Sequence, residues 1–276
     1  MSATHEQASV VFIVSISSDI GTQLALHYLE KGTVVCGTYR TNCPVILEGK
    51  SDVHTFKCDV SQSGCTEEIA AFFRNSGLRW DIFISCVGQL SPIGLFFEID
   101  FETWGESVST NSTAQLRALH AAYPFRHDEK ICHTVFFAGG GTNNPFRAYS
   151  AYCLGKIALI KMCELLNDEA PDLNTFIVGT GWVRTKIHAQ TLAAGAARAG
   201  PNHAATAAFT DDPAKTSTSF DEIAAMIDWG ITQGRAVAGG RNFSVVHDGW
   251  RNGGTQLASA LQADQQKFKL RRHGNT

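Results

Sequence analysis

The chain has 276 residues, of which 44% are hydrophobic and 18% charged, and its formal net charge is -3. A chain of this size can bury a sizeable core in one α/β domain, and it has too few charges for a disordered protein. The net charge is small and no block of like charges precedes the tail, so we expect no nucleic-acid partner and no anionic membrane as a partner.

Eight cysteines are scattered along the chain without a C-x-x-C pair, and several lie in apolar runs. This usage is typical of reduced, partly buried thiols in a cytosolic protein. The first residues, MSATHEQ, lack an apolar signal core, and no apolar stretch approaches the ~20 residues that span a bilayer. We therefore expect a cytoplasmic protein that makes no membrane contact, and we predict no metal site.

Short β-branched or aromatic runs alternate with amphipathic stretches along the chain. The runs predict strands at residues 10–15, 34–39, 53–57, 80–86, 131–137, 174–178 and 243–246. The amphipathic stretches predict helices at residues 20–31, 66–75, 101–122 and 149–167. This alternation indicates a parallel sheet with helices on both faces. We therefore predict an α/β fold, with one doubly wound domain over residues 1–276 and a mostly parallel seven-stranded sheet.

Two segments depart from the alternation. Residues 185–220 are rich in Ala, Gly and Thr and lack strand signals, which favours a substrate loop or lid. A pair of packed, Ala-rich surface helices is a compatible alternative. The tail, about residues 253–276, is polar and ends in KFKLRRHGNT, and we expect its basic end to be a frayed terminus.

The turn between the first strand and the first helix has features of a dinucleotide site. Such a site needs small side chains where a pyrophosphate approaches, and free N–H groups at a helix N-terminus. The candidate cofactor-binding residues in this turn are Ser15, Ser17, Ser18, Asp19, Ile20 and Gly21. Only Gly21 remains of the usual glycines, so an ordinary helix N-cap at Ser17, Ser18 or Asp19 is the alternative.

The second predicted strand ends in Thr38-Tyr39-Arg40. In a dinucleotide-binding fold this strand tip lies beside the adenosine ribose, where an acid binds the 2′-hydroxyl and an arginine accommodates a 2′-phosphate. Arg40 is present and an acid is absent, which favours NADP(H) over NAD(H). A solvated surface charge is the alternative for Arg40.

Tyr152 and Lys156 are about one turn apart in the helix that follows the fifth predicted strand, so they project from one face of it. A phenol with a pKa of about 10 transfers protons poorly at neutral pH, and a neighbouring ammonium lowers that pKa. We predict that Tyr152 is the proton donor and that Lys156 lowers its pKa. A surface pair that arose by chance is the alternative.

From residue 10 to about residue 250, the order of these motifs resembles the short-chain dehydrogenase/reductase family. In this resemblance Asp19 replaces the middle glycine of the first turn, and Asn111 is the helix asparagine that holds a proton-relay water. Ser85-Cys86-Val87-Gly88 replace Asn-Asn-Ala-Gly, and Thr180 replaces the proline of a segment near the nicotinamide. The further cofactor residues that the resemblance implies are Asp59, Val60, Cys86, Val87, Gly88, Tyr152, Lys156, Gly181, Val183 and Thr185.

The family's catalytic serine has no counterpart in this sequence. The loop after the fifth predicted strand contains three successive glycines, and Ala138 or Gly139 aligns with the serine by count. Thr142, Asn143 or backbone N–H groups of the glycine run are the candidates that could orient a substrate carbonyl. The predicted catalytic residues are Tyr152, Lys156, Asn111 and Thr142.

The resemblance implies an oxidoreductase that transfers a hydride between NADP(H) and a small-molecule alcohol/ketone pair. The segments FFAGGGTN and GGRNFSVVHDGW also resemble those of family members associated with surface-polysaccharide gene clusters, which suggests a sugar or nucleotide-sugar substrate. Two alternatives stay open: a catalytically impaired NADP(H) sensor or scaffold, and a nucleotide-sugar epimerase or dehydratase. Family members pair two helices across a two-fold axis, which implies a homotetramer or homodimer here.

Overall fold

The structure is a computed structural model that describes residues 9–272. Its sheet consists of β1 Val10–Val14, β2 Val34–Tyr39, β3 Val53–Lys57, β4 Ile82–Ser85, β5 Cys132–Phe137, β6 Leu173–Gly179 and β7 Asn242–Ser244. The strand order is β3-β2-β1-β4-β5-β6-β7, and each neighbouring pair is parallel. The strand order reverses between β1 and β4, and a crevice for a ligand is typical of this position. The predicted doubly wound α/β fold is confirmed.

The helices are α1 Asp19–Glu30, α2 Cys65–Ser76, α3 Phe101–Asn111, α4 Thr113–Ala122, α5 Ser150–Glu169, α6 His188–Ala199, α7 Pro201–Asp211, α8 Phe220–Ala238 and α9 Thr255–Ala263. Across residues 9–272, none of these helices combines the length and apolar character needed to cross a membrane.

Strand β1 shows why helices cover both faces of the sheet. Successive side chains of a strand point to opposite faces. Val11 and Ile13 join the apolar cluster that includes residues of α1 and α8, whereas Phe12 joins the cluster that includes residues of α2, α4 and α5. Because both faces are buried, the strand sequence VVFIV is apolar throughout.

The predicted helix at 101–122 is two helices, α3 and α4. Ser112 interrupts them with φ -136° and ψ -85°, which lie outside the helical region. Its hydroxyl donates to the Val108 carbonyl at 2.6 Å, and such back-bonding by serine bends helices. The helix α8 is absent from the sequence-based prediction, although Ser219 and Glu222 form the capping box that marks its start.

Residues 185–220 contain the helices α6 and α7, which pack against each other, in agreement with the alternative stated for this segment. In the described part of the basic end, residues 267–272, Phe268 and Leu270 pack against the apolar clusters, so the expected fraying does not extend to these residues. Helix α9 buries Leu257 and Leu261, and the buried Arg241 donates to the Leu261 carbonyl at 2.7 Å. Further along, Arg271 pairs with Glu164. Residues 273–276 of the predicted tail lie outside the described residues.

We expect Gly155→Ala to lower the free energy of unfolding by about 1–3 kcal/mol, because overpacking strains a helix–helix contact. A Cβ on Gly155 would lie 2.6 Å from the Cβ of Asn111, where α5 packs on α3. The matched control is Gly105→Ala in α3, where a Cβ would meet no atom within 4 Å. Alanine should stabilise that helix by up to about 1 kcal/mol. Urea denaturation of both variants measures the difference, and equal effects would contradict this account of the contact.

Candidate active site

A cleft of about 2160 Å³ runs along the sheet edge at the carboxyl ends of the strands. Its walls come from the loops that follow the strands, from the turn after β1 to the segment after β7. The predicted residues that line it are Ser15, Ser17, Ser18, Asp19, Ile20, Arg40, Asp59, Val60, Cys86, Val87, Gly88, Thr142, Tyr152, Lys156, Gly181, Val183 and Thr185. Gly21 and Asn111 lie behind the walls rather than in them.

The turn between β1 and α1 forms one end of the cleft. Ser18 is the N-cap of α1, and its hydroxyl accepts a hydrogen bond from the Gly21 N–H at 3.0 Å. A Cβ on Gly21 would lie 2.5 Å from the Ser15 carbonyl oxygen, so this position requires glycine. Ser15 has a left-handed φ of 62°, a conformation that favours glycine, and its N–H donates to the Thr38 hydroxyl at 3.0 Å. Ser17, Ser18 and Asp19, at the start of α1, line the cleft.

The adenosine end predicted from the sequence is formed by the loops after β2 and β3. Arg40 lies exposed directly after β2. Asp59 accepts hydrogen bonds from the N–H and the hydroxyl of Ser61, at 3.0 and 2.7 Å, and so shapes the loop after β3. Both residues therefore line the cleft, and their contact with an adenosine stays a prediction.

Tyr152 and Lys156 lie on α5 in the wall of the cleft. The Lys156 ammonium is 6.0 Å from the centre of the Tyr152 ring and donates to the Val87 carbonyl at 2.9 Å. Burial lowers the pKa of Lys156 to about 8 and raises the pKa of the Tyr152 phenol well above its usual value. The pKa shift of the phenol here comes mainly from its desolvation, and the role of Lys156 in lowering the tyrosine pKa stays a prediction. Tyr152 is therefore a neutral phenol at neutral pH.

Asn111 connects the end of α3 to the loop after β4. Its side-chain oxygen accepts from the Gln89 N–H at 3.0 Å, and its amide donates to the Gln89 carbonyl at 2.8 Å. Its own backbone carbonyl accepts from the Gln115 amide at 3.0 Å. The role of Asn111 in holding a relay water stays a prediction, and its visible role is to fix the position of the loop.

Gln115 was missed by the sequence analysis. It is fully buried, accepts from the Ser85 hydroxyl at 2.7 Å, and its amide also lies 3.4 Å from the Val87 carbonyl that Lys156 contacts. It therefore joins β4, α4 and the lysine-binding carbonyl in one network. A polar side chain on the otherwise small, apolar buried face of α4 was the available signal.

In the loop after β5, a glycine lies next to the Tyr152 phenol. A Cβ on Gly139 would lie 2.4 Å from the Tyr152 hydroxyl oxygen, so Gly139 is directly opposite this group. The Thr142 hydroxyl instead donates to the Gly139 carbonyl at 3.2 Å. Of the two residues that align with the family's serine by count, the structure thus places Gly139 beside the phenol.

The segment after β6 supplies cleft residues that the sequence analysis did not single out. The rings of Trp182 and His188 stack with their centres 5.4 Å apart, and Lys186 lies between them in the sequence. Gln190 of α6 accepts from the N–H groups of Leu90 and Ser91 at 2.9 and 3.0 Å. These contacts attach the α6 segment to the opposite side of the cleft.

The parallel sheet, the cleft at its strand reversal and the tyrosine–lysine pair are typical of dinucleotide-dependent oxidoreductases. The sequence matches the family described as short chain dehydrogenase over residues 9–195, more than half of the chain. The protein therefore belongs to the short chain dehydrogenase family, whose members are oxidoreductases that use NAD(P). No curated protein matches the sequence.

Solved structures of this family share the fold. A short chain dehydrogenase/reductase from Saccharomyces cerevisiae has a TM-score of 0.75 at 20% identity, and the match covers 87% of this chain and 96% of that one. The ligand-free aldohexose dehydrogenase of Thermoplasma acidophilum has a TM-score of 0.69 at 17% identity, covering 86% and 92%. A short chain dehydrogenase from Shigella flexneri, complexed with NADP, has a TM-score of 0.70 at 20% identity, covering 86% and 96%.

Proposed function

We propose that this protein is an NADP(H)-dependent reductase that converts a carbonyl group of a small molecule to an alcohol, and that Tyr152 donates the proton. The observation that carries this proposal is the neutral Tyr152 phenol in the cleft wall, with the Lys156 ammonium beside it and Gly139 opposite. A neutral phenol is the protonation state that carbonyl reduction requires.

The cleft residues fit a dinucleotide. The glycine at position 21 gives α1 a close-packed N-terminus for a pyrophosphate, and Arg40 provides a cation for a 2′-phosphate. Asp59 and Val60 would contact the adenine. The remaining residues proposed to hold the ribose and the nicotinamide are Cys86, Val87, Gly88, Tyr152, Lys156, Gly181, Val183 and Thr185. When bound, the nicotinamide supplies the hydride.

In the proposed reaction, the Tyr152 O–H proton moves to the carbonyl oxygen, while the carbonyl carbon would receive the hydride that a bound nicotinamide supplies. An alcohol and a phenolate result. The Lys156 ammonium then stabilises the negative charge of the phenolate until a proton returns to it. The phenol itself is neutral, so a nearby cation matters only after the proton has left. The Gly139–Gly141 amides and the Thr142 hydroxyl are the proposed groups that orient the carbonyl.

The substrate and the assembly are proposed on fewer observations. Asn143, Asn144 and Asp248 give the cleft a polar wall that suits a hydroxylated substrate such as a sugar. Phe97, which precedes α3, is 96% exposed, and Phe101, the first residue of α3, is 63% exposed. Apolar side chains this exposed favour burial against a second copy of the chain, so we propose a homo-oligomer. We also propose one domain and a cytoplasmic location.

We expect Arg40→Ala to weaken NADPH binding by about 1.5–3 kcal/mol and to leave NADH binding nearly unchanged, because only NADPH has the 2′-phosphate that a charge-assisted bond would hold. Titration of both cofactors by cofactor fluorescence measures the two affinities. Arg79→Ala, which removes an exposed arginine that pairs with Asp128 outside the cleft, is the control. Equal losses for the two cofactors would contradict the assignment of Arg40.

A further inference from the structure

The turn after β1 carries a carboxylate at the N-terminus of α1. Asp19 is the first residue of α1, directly after the N-cap, and it lines the cleft. The N-terminus of a helix attracts anions through its free N–H groups and its dipole. A carboxylate at this point opposes the binding of a pyrophosphate, so a dinucleotide site with Asp19 needs a compensating cation.

Lys186 provides a cation at this point. Its ammonium donates to the Ser17 carbonyl at 2.8 Å and lies 3.8 Å from the Asp19 carboxylate. Its backbone N–H donates to the same carboxylate at 2.6 Å. One residue of the segment after β6 therefore contacts the turn after β1 through both its main chain and its side chain.

Arg184, the other cationic residue of this segment, forms its hydrogen bonds away from the turn after β1. The Arg184 guanidinium donates to the carbonyls of Phe209, Asp212 and Lys215 at 2.9, 2.7 and 3.2 Å. It also lies over the Phe209 ring. Arg184 thus anchors the end of α7, and Lys186 is left to face the turn.

We propose that Lys186 neutralises Asp19 so that a dinucleotide pyrophosphate can bind at α1, and that Asp19 in return holds residues 183–187 against the turn. This inference rests on the proposed dinucleotide-dependent function. It assigns Lys186 a role that depends on Asp19, whereas a simple phosphate-binding lysine would act independently of it. Both side chains are partly exposed, so the ammonium can contact a phosphate and the carboxylate together.

A double-mutant cycle tests the neutralisation. Lys186→Ala should weaken the binding of NADPH and NADH alike by about 10-fold or more, because the unpaired Asp19 then faces the pyrophosphate that both cofactors share. Asp19→Ala should change the affinities by less than about 3-fold. Removing the carboxylate that repels the pyrophosphate strengthens binding, and losing its contact with residues 183–187 weakens binding by a similar amount. Adding Lys186→Ala to Asp19→Ala should then cost less than about 3-fold.

The outcomes of the cycle are distinct. An equal loss from Lys186→Ala in both backgrounds would overturn the inference and make Lys186 an ordinary phosphate contact, with the proposed function intact. No loss in either background would overturn it as well. If the unmodified protein binds neither cofactor, the proposed function itself fails, and the neutralising role fails with it.

Hydrogen exchange of the protein without cofactor tests the second half of the inference. Asp19→Ala should speed amide exchange in residues 183–187 by about 10-fold, because the bond from the Lys186 N–H is lost and the segment opens more often. Glu30→Ala, at the exposed end of α1, is the control and should leave these amides unchanged. Unchanged exchange in Asp19→Ala would show that Asp19 does not hold the segment.

Discussion

Tyr152→Phe is expected to lower carbonyl-dependent NADPH oxidation by about 10²–10⁴, the usual contribution of a general acid, with NADPH affinity nearly unchanged. The variant keeps the half-buried ring and removes only the hydroxyl that faces Gly139. Steady-state kinetics on a panel of carbonyl compounds, together with a cofactor titration, measures both quantities.

Tyr123→Phe is the matched control, because the Tyr123 hydroxyl hydrogen-bonds Asp172 outside the cleft. It should leave turnover within about 3-fold, as expected for a substitution remote from the chemistry. If Tyr152→Phe retains full turnover, Tyr152 is not the proton donor. If the unmodified protein binds NADPH but reduces none of the carbonyls, the alternative of a sensor or scaffold gains support.

Lys156→Met is expected to abolish turnover and yet to raise the free energy of unfolding at pH 7 by about 1–3 kcal/mol, at about 1.4 kcal/mol for each unit of pKa shift. Burial lowers the pKa of Lys156 in the folded protein to about 8, so below pH 8 the folded state carries a buried charge that the unfolded chain keeps in water. Methionine fills a similar volume without that charge. The lost bond to the Val87 carbonyl at 2.9 Å reduces the gain.

The pH dependence gives the sign of this effect. As the pH rises above 8, the folded wild-type protein loses the Lys156 proton while the unfolded chain retains it up to a pKa of about 10.4. Wild-type stability therefore increases relative to the variant over this range, and the advantage of Lys156→Met disappears above about pH 10. Urea denaturation at several pH values measures the difference. A constant difference, or a less stable variant at pH 7, would contradict the burial argument.

The sheet could be predicted from the sequence because central strands such as β1 and β4 are buried on both faces and almost wholly apolar. The break between α3 and α4 could not, because it depends on the Ser112 hydroxyl and on the contact of Asn111 with Gln89. Helix α9 was missed for a similar reason. Its two buried leucines are too few to stand out in a polar tail, and its position follows from packing.

The candidate site was predictable where residue type and spacing were sufficient. Tyr152 and Lys156 are one turn apart on any helix, and the turn residues follow a strand directly. The direction of the tyrosine pKa shift depends on burial by distant segments, so local sequence could not give it. The conformation of the loop with Gly139–Gly141 could not be predicted from local sequence either, and only the fold shows that Gly139 faces the phenol. The contact of Lys186 with Asp19 joins residues 167 positions apart.

Transfer of deuterium from NADPH, labelled at the transferable position of the nicotinamide, to a carbonyl compound tests the central claim most directly. The alcohol product is analysed by mass spectrometry. We predict that the wild-type protein gives an alcohol with one deuterium on the former carbonyl carbon, and that Tyr152→Phe gives about 10²–10⁴ less of it in the same time. An unlabelled product, or equal deuterium incorporation by both proteins, would contradict hydride transfer with Tyr152 as the proton donor.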